Sequence, residues 1–264
     1  MNKKLSVSRI NLLNKCSQAH YYAYTLGLEK PGETNAQALG TAVHKAIEEF
    51  YNGVHNMPHM DTGAAYANEY NACVDAFGTF SLLRDKGLSI LATEQEFSVP
   101  LEDERISEGW EFRGIIDVVA ELDGQLWVGD HKTTRRKWSI EKLSLSLQHK
   151  GYELVMPELY PGKNYGGSFY NFIQIGTSKS VPYANVSREW LPRNEAGLAT
   201  AFEEIISAVQ RIEAGEKFRN VGDHCTWCDF KDLCGADYFG ADTQALIDLN
   251  FRKKDQKIEE GDEL

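Results

Sequence analysis

Two aspartates in one short segment carry the clearest chemical signal in this chain. The segment RGIIDVVAELDGQLWVGDHKTT runs from Arg113 to Thr134. Asp123-Gly124 sits between two apolar runs, a strong signal for a two-residue hairpin turn. A turn that opposes Leu122 to Gln125 also opposes Asp117 to Asp130, five positions up each strand. Opposed Cβ atoms lie about 4.5–5.5 Å apart, and like charges placed so are destabilising. The neighbours Ile115, Ile116, Val118, Val119, Trp127 and Val128 predict burial, which worsens the repulsion. A hard divalent cation bound by oxygen ligands would offset it. Strand-end exposure, a bulge that shifts the register, or pairing of one aspartate with Lys132 would do so as well. Lys132 lies two residues past Asp130 and projects from the same face. Further on, Gln148 and Tyr152 are four apart and share one face of a helix. His149 and Lys150 turn to other faces.

Cysteines are the second signal. There are five, Cys16, Cys73, Cys225, Cys228 and Cys234, and three of them form Cys-x2-Cys-x5-Cys within HCTWCDFKDLC. An odd number with no secretory signal argues against a disulfide framework and for a reducing, cytoplasmic compartment. Clustered thiols in such a protein point to metal, and three thiols need a fourth ligand from elsewhere. The ligand chemistry leaves zinc and iron-sulfur both open. Cys73, in NEYNACVDAF, reads as a buried small apolar residue.

Elements that could position these groups follow from periodicity. A helix is expected from Ser8, as N-cap, to about Thr25, and a second from about Gln37 to Asn52. A third spans about 61–86, interrupted at Gly78. Residues 94–101, 110–122 and 125–133 then read as strands, rich in Val, Ile, Phe and Trp. Helix returns at about 140–156. Two further strands, 166–175 and 181–187, are joined through GTSKS, and 193–214 is helical. The layout predicts an α/β core, a mixed central sheet flanked by helices, with helical parts at both ends. One domain is expected over 1–250, with N-terminal helices in 1–90, the sheet core in 91–190 and the last helix and cysteines in 191–240. The highly charged stretch 251–264 is expected to be a mobile tail.

Composition bounds the answer. The chain has 264 residues, 42% hydrophobic and 25% charged, which excludes disorder throughout. No apolar run approaches the roughly 18 residues of a membrane span. The start, MNKKLSVSRINLL, lacks a long apolar stretch, so no signal peptide is expected. No Gly-x4-Gly-Lys-Ser/Thr loop is present, so the chain is not itself expected to be an ATP-driven helicase. The net charge of −11 argues against loose binding to nucleic acid. Part of the excess, Glu259, Glu260, Asp262 and Glu263, falls in the tail.

Taken in order, Asp117, then Asp130-His131-Lys132, then Gln148-x3-Tyr152 resembles the PD-(D/E)xK nuclease superfamily. More closely, it resembles the RecB-like exonucleases, including CRISPR-associated and phage members. Two departures stand out: Ile116 rather than proline precedes the first acid, and the second acid is aspartate. Several members of that group hold an iron-sulfur cluster with one N-terminal and three C-terminal cysteines. The resemblance implies that Cys16 joins Cys225, Cys228 and Cys234 around a [4Fe-4S] cluster in preference to zinc, tying the two helical ends together. It also implies that His44, in GTAVHKAIEEFY, is a metal ligand. Glu48 and Glu96 stand as metal ligands or as solvated carboxylates. His55, His59 and His224 lack any such context.

The implied activity is metal-dependent hydrolysis of DNA phosphodiesters. His44, Asp117, Asp130 and the carbonyl of His131 would hold Mg²⁺ or Mn²⁺. Lys132 would stabilise charge on the phosphate, and Gln148 and Tyr152 would position the strand or the nucleophile. A 5′-to-3′ exonuclease acting on single-stranded ends, in recombination, repair or CRISPR adaptation, is the family expectation. Arg135, Arg136 and Lys137, then Lys142 and Lys150, offer a basic strip for DNA. Trp138 would stack on a base or cap the core. The competing reading is a catalytically silent scaffold subunit that binds DNA or a partner protein.

Overall fold

A computed structural model describes residues 3–54, 56–61, 63–179 and 181–254. Its elements run β1 (Lys4–Leu5), α1 (Val7–Lys15), α2 (Ser17–His20), β2 (Leu28–Glu29), α3 (Asn35–Tyr51), α4 (Ala67–Arg84), β3 (Ser89–Pro100), β4 (Glu111–Leu122) and β5 (Gln125–Thr134). They continue with α5 (Ile140–Ser144), α6 (Leu147–Leu159), β6 (Asn164–Ser178), β7 (Val181–Pro192), α7 (Glu195–Glu213), α8 (Lys231–Phe239), α9 (Thr243–Asn250) and β8 (Arg252–Lys253). A π-helical turn, Tyr21–Thr25, follows α2, and a 3-10 turn, Asp223–Trp227, precedes α8. Two compact units result. Of the described residues, the first takes those up to Gly32, Ser98–Arg113 and those from Glu203 on, and the second takes those within Glu33–Phe97 and Gly114–Phe202.

The second unit is a mixed sheet covered on both faces. β3 pairs with β4, β4 antiparallel with β5, β5 parallel with β6, and β6 antiparallel with β7. Residues Gly167 to Ile173 of β6 are buried almost without break, because β6 is central and helices cover both sides. Its Ile173 and Ile175 pack with Val43 and Ile47 of α3 and with Val74 and Phe77 of α4. Tyr170 and Phe172 point the other way, into a cluster with Leu143 of α5 and Leu191 of β7. Alternation along one strand thus feeds two cores.

Helix boundaries follow local capping more closely than apolar spacing. Thr34 caps α3 through a reciprocal pair with Gln37, so the helix starts two residues before the expected position. α4 starts later than expected and runs through Gly78 without a break. The expected helix at about 140–156 is two helices, because the Ser146 hydroxyl accepts from the Gln148 N–H and starts α6 afresh.

α6 also carries Glu153, which is 3% exposed. Burial pushes its carboxyl up to about 7, against the Ser168 hydroxyl, Arg193 and Lys150. The folded state therefore holds a proton that the unfolded chain releases near its ordinary value of 4.5. This group's contribution to stability is complete below that value and is lost as pH rises to about 7. We expect Glu153→Gln to gain about 1–3 kcal/mol relative to the parent between pH 5 and pH 8. Urea unfolding at both pH values measures this, and an unchanged difference would refute it.

In the first unit, β1 pairs parallel with the start of β4, Lys4 with Glu111 and Leu5 with Phe112. The helix expected from Ser8 to Thr25 begins at Val7 instead. Ser6 is the N-cap, its hydroxyl accepting from the Arg9 N–H. It also breaks at Cys16, whose extended backbone ends α1 and starts α2. Ala19, Tyr22, Ala23, Leu28, Phe230 and Leu233 form the core here. The charged stretch from Phe251 is not wholly a tail. Phe251 stacks on Phe230 at 5.5 Å between ring centroids, and Arg252–Lys253 pair with Glu29 and Leu28. That apolar contact and ladder outweigh the charge of the sequence; residues 255–264, with the four acids named above, lie outside the described residues. So does His55.

Candidate active site

The expected hairpin forms with the expected register. Asp123 and Gly124 both take positive φ, 50° and 76°, which a two-residue hairpin turn of this kind requires. Leu122 faces Gln125 and the pairing runs to Val118 and Gly129. Gly129 is needed where it stands: a Cβ there would lie 2.3 Å from the Phe169 ring and 2.5 Å from Val118. One step further, Asp117 Oδ2 accepts the backbone N–H of His131 at 2.7 Å.

Three elements converge on this end of the hairpin. His44 from α3, Glu94 from β3 and Asp117 from β4 bring ligand atoms within 4.8 Å of one another. Among the described residues no other three His, Cys, Asp or Glu side chains meet so closely. His44 Nε2 lies 2.8 Å from the carbonyl oxygen of His131, and its Nδ1 lies 3.6 Å from Asp117 Oδ2. Glu94 sits on a backbone with φ 43°, a region that ordinary side chains avoid. Held strain of this kind clusters at functional sites.

Asp130 on β5 lies within electrostatic reach of Asp117 and His44, outside the group that meets within 4.8 Å. Its Oδ1 accepts from Lys132 Nζ at 2.9 Å and from Gln148 Nε2 at 2.9 Å. Its Oδ2 is buried with no hydrogen-bond partner among the described residues. Burial pushes the Asp130 carboxyl up to about 6, opposed by Lys132 and assisted by Asp117. Burial alone would lower Lys132, yet Asp130 and Asp117 hold its ammonium above the ordinary lysine value. Burial brings the His131 imidazole down to about 3, so it is neutral at physiological pH.

These residues fit a divalent cation. The donors are carboxylates, a carbonyl and one imidazole, which suits Mg²⁺ or Mn²⁺. Neighbouring ligands on an octahedron of ~2.1 Å radius stand about 3 Å apart, close to the 2.8 Å between His44 Nε2 and the His131 carbonyl. The orphaned Asp130 oxygen adds acceptor capacity that no protein group uses.

Glu94 is the residue that sequence reasoning missed. The parity of β3 singles out both Glu94 and Glu96, and the structure leaves Glu96 exposed. Only the irregular backbone at Glu94 decides between them. Gln148 reaches Asp130, whereas Tyr152 is buried with its ring 5.6 Å from Phe97. Burial raises the Tyr152 hydroxyl, which therefore keeps its proton.

The basic strip is partly spoken for within the unit. Arg135 pairs with Glu69 at 2.7 Å, and Lys137 pairs with Glu189. Arg136 is exposed, with no ion pair among the described residues. Trp138 packs beside Tyr170 and Phe172, and Lys142 Nζ stands 3.9 Å from its ring centroid. That places Trp138 as a cap on the core.

The cysteines of the first unit surround its small core. Cys16, Cys228 and Cys234 pack against it, with Cys225 in the adjoining 3-10 turn. Burial raises the Cys228 thiol, and the neighbouring Cys16 and Cys225 raise it further. No three of these sulfurs, among the described residues, lie within 4.8 Å of one another. Cys73 is fully buried in the second unit, its thiol pushed up to about 12 by burial.

Comparison with known proteins now adds to the geometry. The family model of the PD-(D/E)XK nuclease superfamily matches residues 4–235. The chain belongs to that superfamily. Its mixed sheet flanked by helices is a nuclease core of that kind. Membership implies nuclease activity, divalent metal and DNA as the class of substrate. No curated protein matches significantly. A crystal structure of SSO0001 matches with a TM-score of 0.45 and 14% identity, over 89% of this chain and 88% of that chain. That likeness is too distant to bear on chemistry. No helix among the described residues is long and apolar enough to cross a membrane.

Proposed function

We propose that this chain is a Mg²⁺- or Mn²⁺-dependent exonuclease that hydrolyses DNA from single-stranded ends, in the 5′-to-3′ direction. The observation that carries the metal-dependent reading is the unpartnered buried oxygen of Asp130 beside the convergent His44, Glu94 and Asp117. A buried carboxylate with an unused acceptor is costly unless a cation meets it. His44, Glu94, Asp117, Asp130 and the His131 carbonyl would hold the ion. Bound there, it would supply charge stabilisation at the phosphate and acidify a water.

The chain's own groups then have separate tasks. The Lys132 ammonium, kept protonated, opposes the negative charge that grows on the phosphate. Gln148 holds the Asp130 carboxylate in its orientation. Tyr152 packs the helix that carries Gln148 against Phe97. Arg136 and Lys142 are the cations of the strip best able to meet a DNA backbone, with Arg135 and Lys137 recruited only by exchanging their carboxylate partners. Exchange of that kind weakens loose binding, as expected for a chain of net charge −11. The polarity, end preference and setting in recombination, repair or CRISPR adaptation rest on the family resemblance. Digestion of end-labelled single-stranded, double-stranded and circular DNA with Mn²⁺ tests all of them. Cleavage of circles would reject exonuclease action, and no cleavage of any substrate would favour the scaffold reading.

We also propose a [4Fe-4S] cluster on Cys16, Cys225, Cys228 and Cys234. Tetrahedral zinc at ~2.3 Å from each sulfur would hold all four thiolates about 4 Å apart, and no three of these sulfurs lie within 4.8 Å of one another. The cluster would close a chain loop of more than 200 residues, worth about 5 kcal/mol by loop entropy. We expect Cys228→Ser to lose the brown colour and iron, and to lower the melting temperature by about 10–20 °C. Stoichiometric zinc in a colourless protein would overturn this assignment.

A further inference from the structure

A buried polar row crosses the second unit directly behind the site. His131 on β5, Asn171 on β6 and Arg188 on β7 are register partners, side by side on three adjacent strands. Asn171 is fully buried, and the Arg188 side chain is 6% exposed. Arg188 Nε donates to Asn171 Oδ1 at 2.7 Å. Asn171 Nδ2 lies 3.1 Å from His131 Nδ1. At its far end Arg188 lies 2.8 Å from Asp85 Oδ1, with its guanidinium 4.5 Å from the Phe169 ring. The other oxygen of Asp85 accepts from Tyr51 and Ser81.

Donor logic runs one way along this row. A guanidinium can only donate, so it draws the oxygen of the Asn171 amide. The amide nitrogen then faces His131 and must donate to Nδ1. That fixes the His131 ring as the tautomer with its proton on Nε2, a buried nitrogen with no hydrogen-bond partner among the described residues. The Phe77 ring, at 5.5 Å, and the Tyr51 ring, at 6.0 Å, hold the imidazole from other sides. The peptide of His131 is the one whose N–H holds Asp117 and whose carbonyl faces His44.

We propose that Asn171 and Arg188 are positioning residues of this site: they lock the His131 ring, and through it the peptide that sets Asp117 and His44. The proposal rests on the metal-dependent reading above. A buried ion pair such as Arg188–Asp85 is seldom the cheapest way to fill a core, since apolar replacements are often as stable. Outer partners that orient ligands typically change metal affinity by about 10–100-fold when removed.

The test uses the full chain and Mn²⁺ alone. Binding is titrated by electron paramagnetic resonance for the parent, Asn171→Ala, Asn171→Asp and Asp117→Asn. Ile173→Val is a control: it trims a fully buried residue two positions along β6, outside the row. Nitrogen-15 NMR of the metal-free protein reads the His131 tautomer. We expect Asn171→Ala to raise the Mn²⁺ Kd about 10–100-fold, and Ile173→Val to leave it within about twofold. Asn171→Asp keeps an anchor but can only accept, so His131 should move its proton to Nδ1 with the Kd within about threefold. An unchanged Kd in Asn171→Ala, an equal loss in Ile173→Val, or a parent His131 protonated on Nδ1 would overturn the positioning role alone. Mn²⁺ binding that Asp117→Asn does not weaken would overturn the metal reading, and the role with it.

Discussion

Asp130→Asn should abolish metal-dependent DNA cleavage, with a loss of about 10³-fold or more. Asparagine keeps the shape and one acceptor oxygen, so Lys132 and Gln148 retain their hydrogen-bond partner. What disappears is the negative charge and the unpartnered oxygen. That charge is a burden to the metal-free fold, because burial raises the Asp130 carboxyl to about 6. Its folded value lies above the unfolded one, so the stability it contributes is present at low pH and lost as pH rises through about 6. At pH 8 the metal-free variant should therefore melt no lower than the parent. Steady-state cleavage of labelled DNA and thermal melts measure both parts. Full activity in Asp130→Asn would reject the site, and a large fall in melting temperature would mean a structural role.

Lys132→Met separates charge stabilisation from metal binding. Cleavage should fall about 10²–10³-fold, the usual cost of removing one preorganised donor. Mn²⁺ affinity should hold or tighten, because a positive charge 2.9 Å from Asp130 is gone. Removing Lys132 also removes what keeps the Asp130 carboxyl from rising further. The metal-free variant should therefore lose stability more steeply than the parent between pH 5 and pH 8, and added Mn²⁺ should restore it. If affinity fell in step with activity, Lys132 would be part of the binding site instead.

The two predictions lean on different levels of information. Asp117 and Asp130 were legible because the Asp123-Gly124 turn fixes a register and a register fixes opposition. Lys132 followed from the strand period, whereas Gln148 entered the site only through the resemblance to the PD-(D/E)xK nucleases. Glu94 was not legible in this way. Period two cannot choose between Glu94 and Glu96, and the choice is made by one residue with positive φ. The same limit applies to Cys16, expected inside a helix and found where a helix breaks.

Charge shows the difference again. Arg135 to Lys137 read as a free basic strip, but Glu69 and Glu189 come from distant parts of the chain to meet two of the three. Asn171 and Arg188 gave no signal at all, since each is one of several polar residues scattered along β6 and β7 and neither stands out in any pattern. Their meaning appears only when β5, β6 and β7 align them in one row.

By itself the sequence determined the hairpin, the two acids with their lysine, the cysteine spacing and the α/β class. Each rests on interactions between residues close in the chain, where turn geometry and period act directly. Only the tertiary structure decided which third carboxylate meets His44 and Asp117, which cations are already paired, and what fixes His131. Those are contacts between residues tens of positions apart, and the free energy that selects them comes from packing many strands and helices at once.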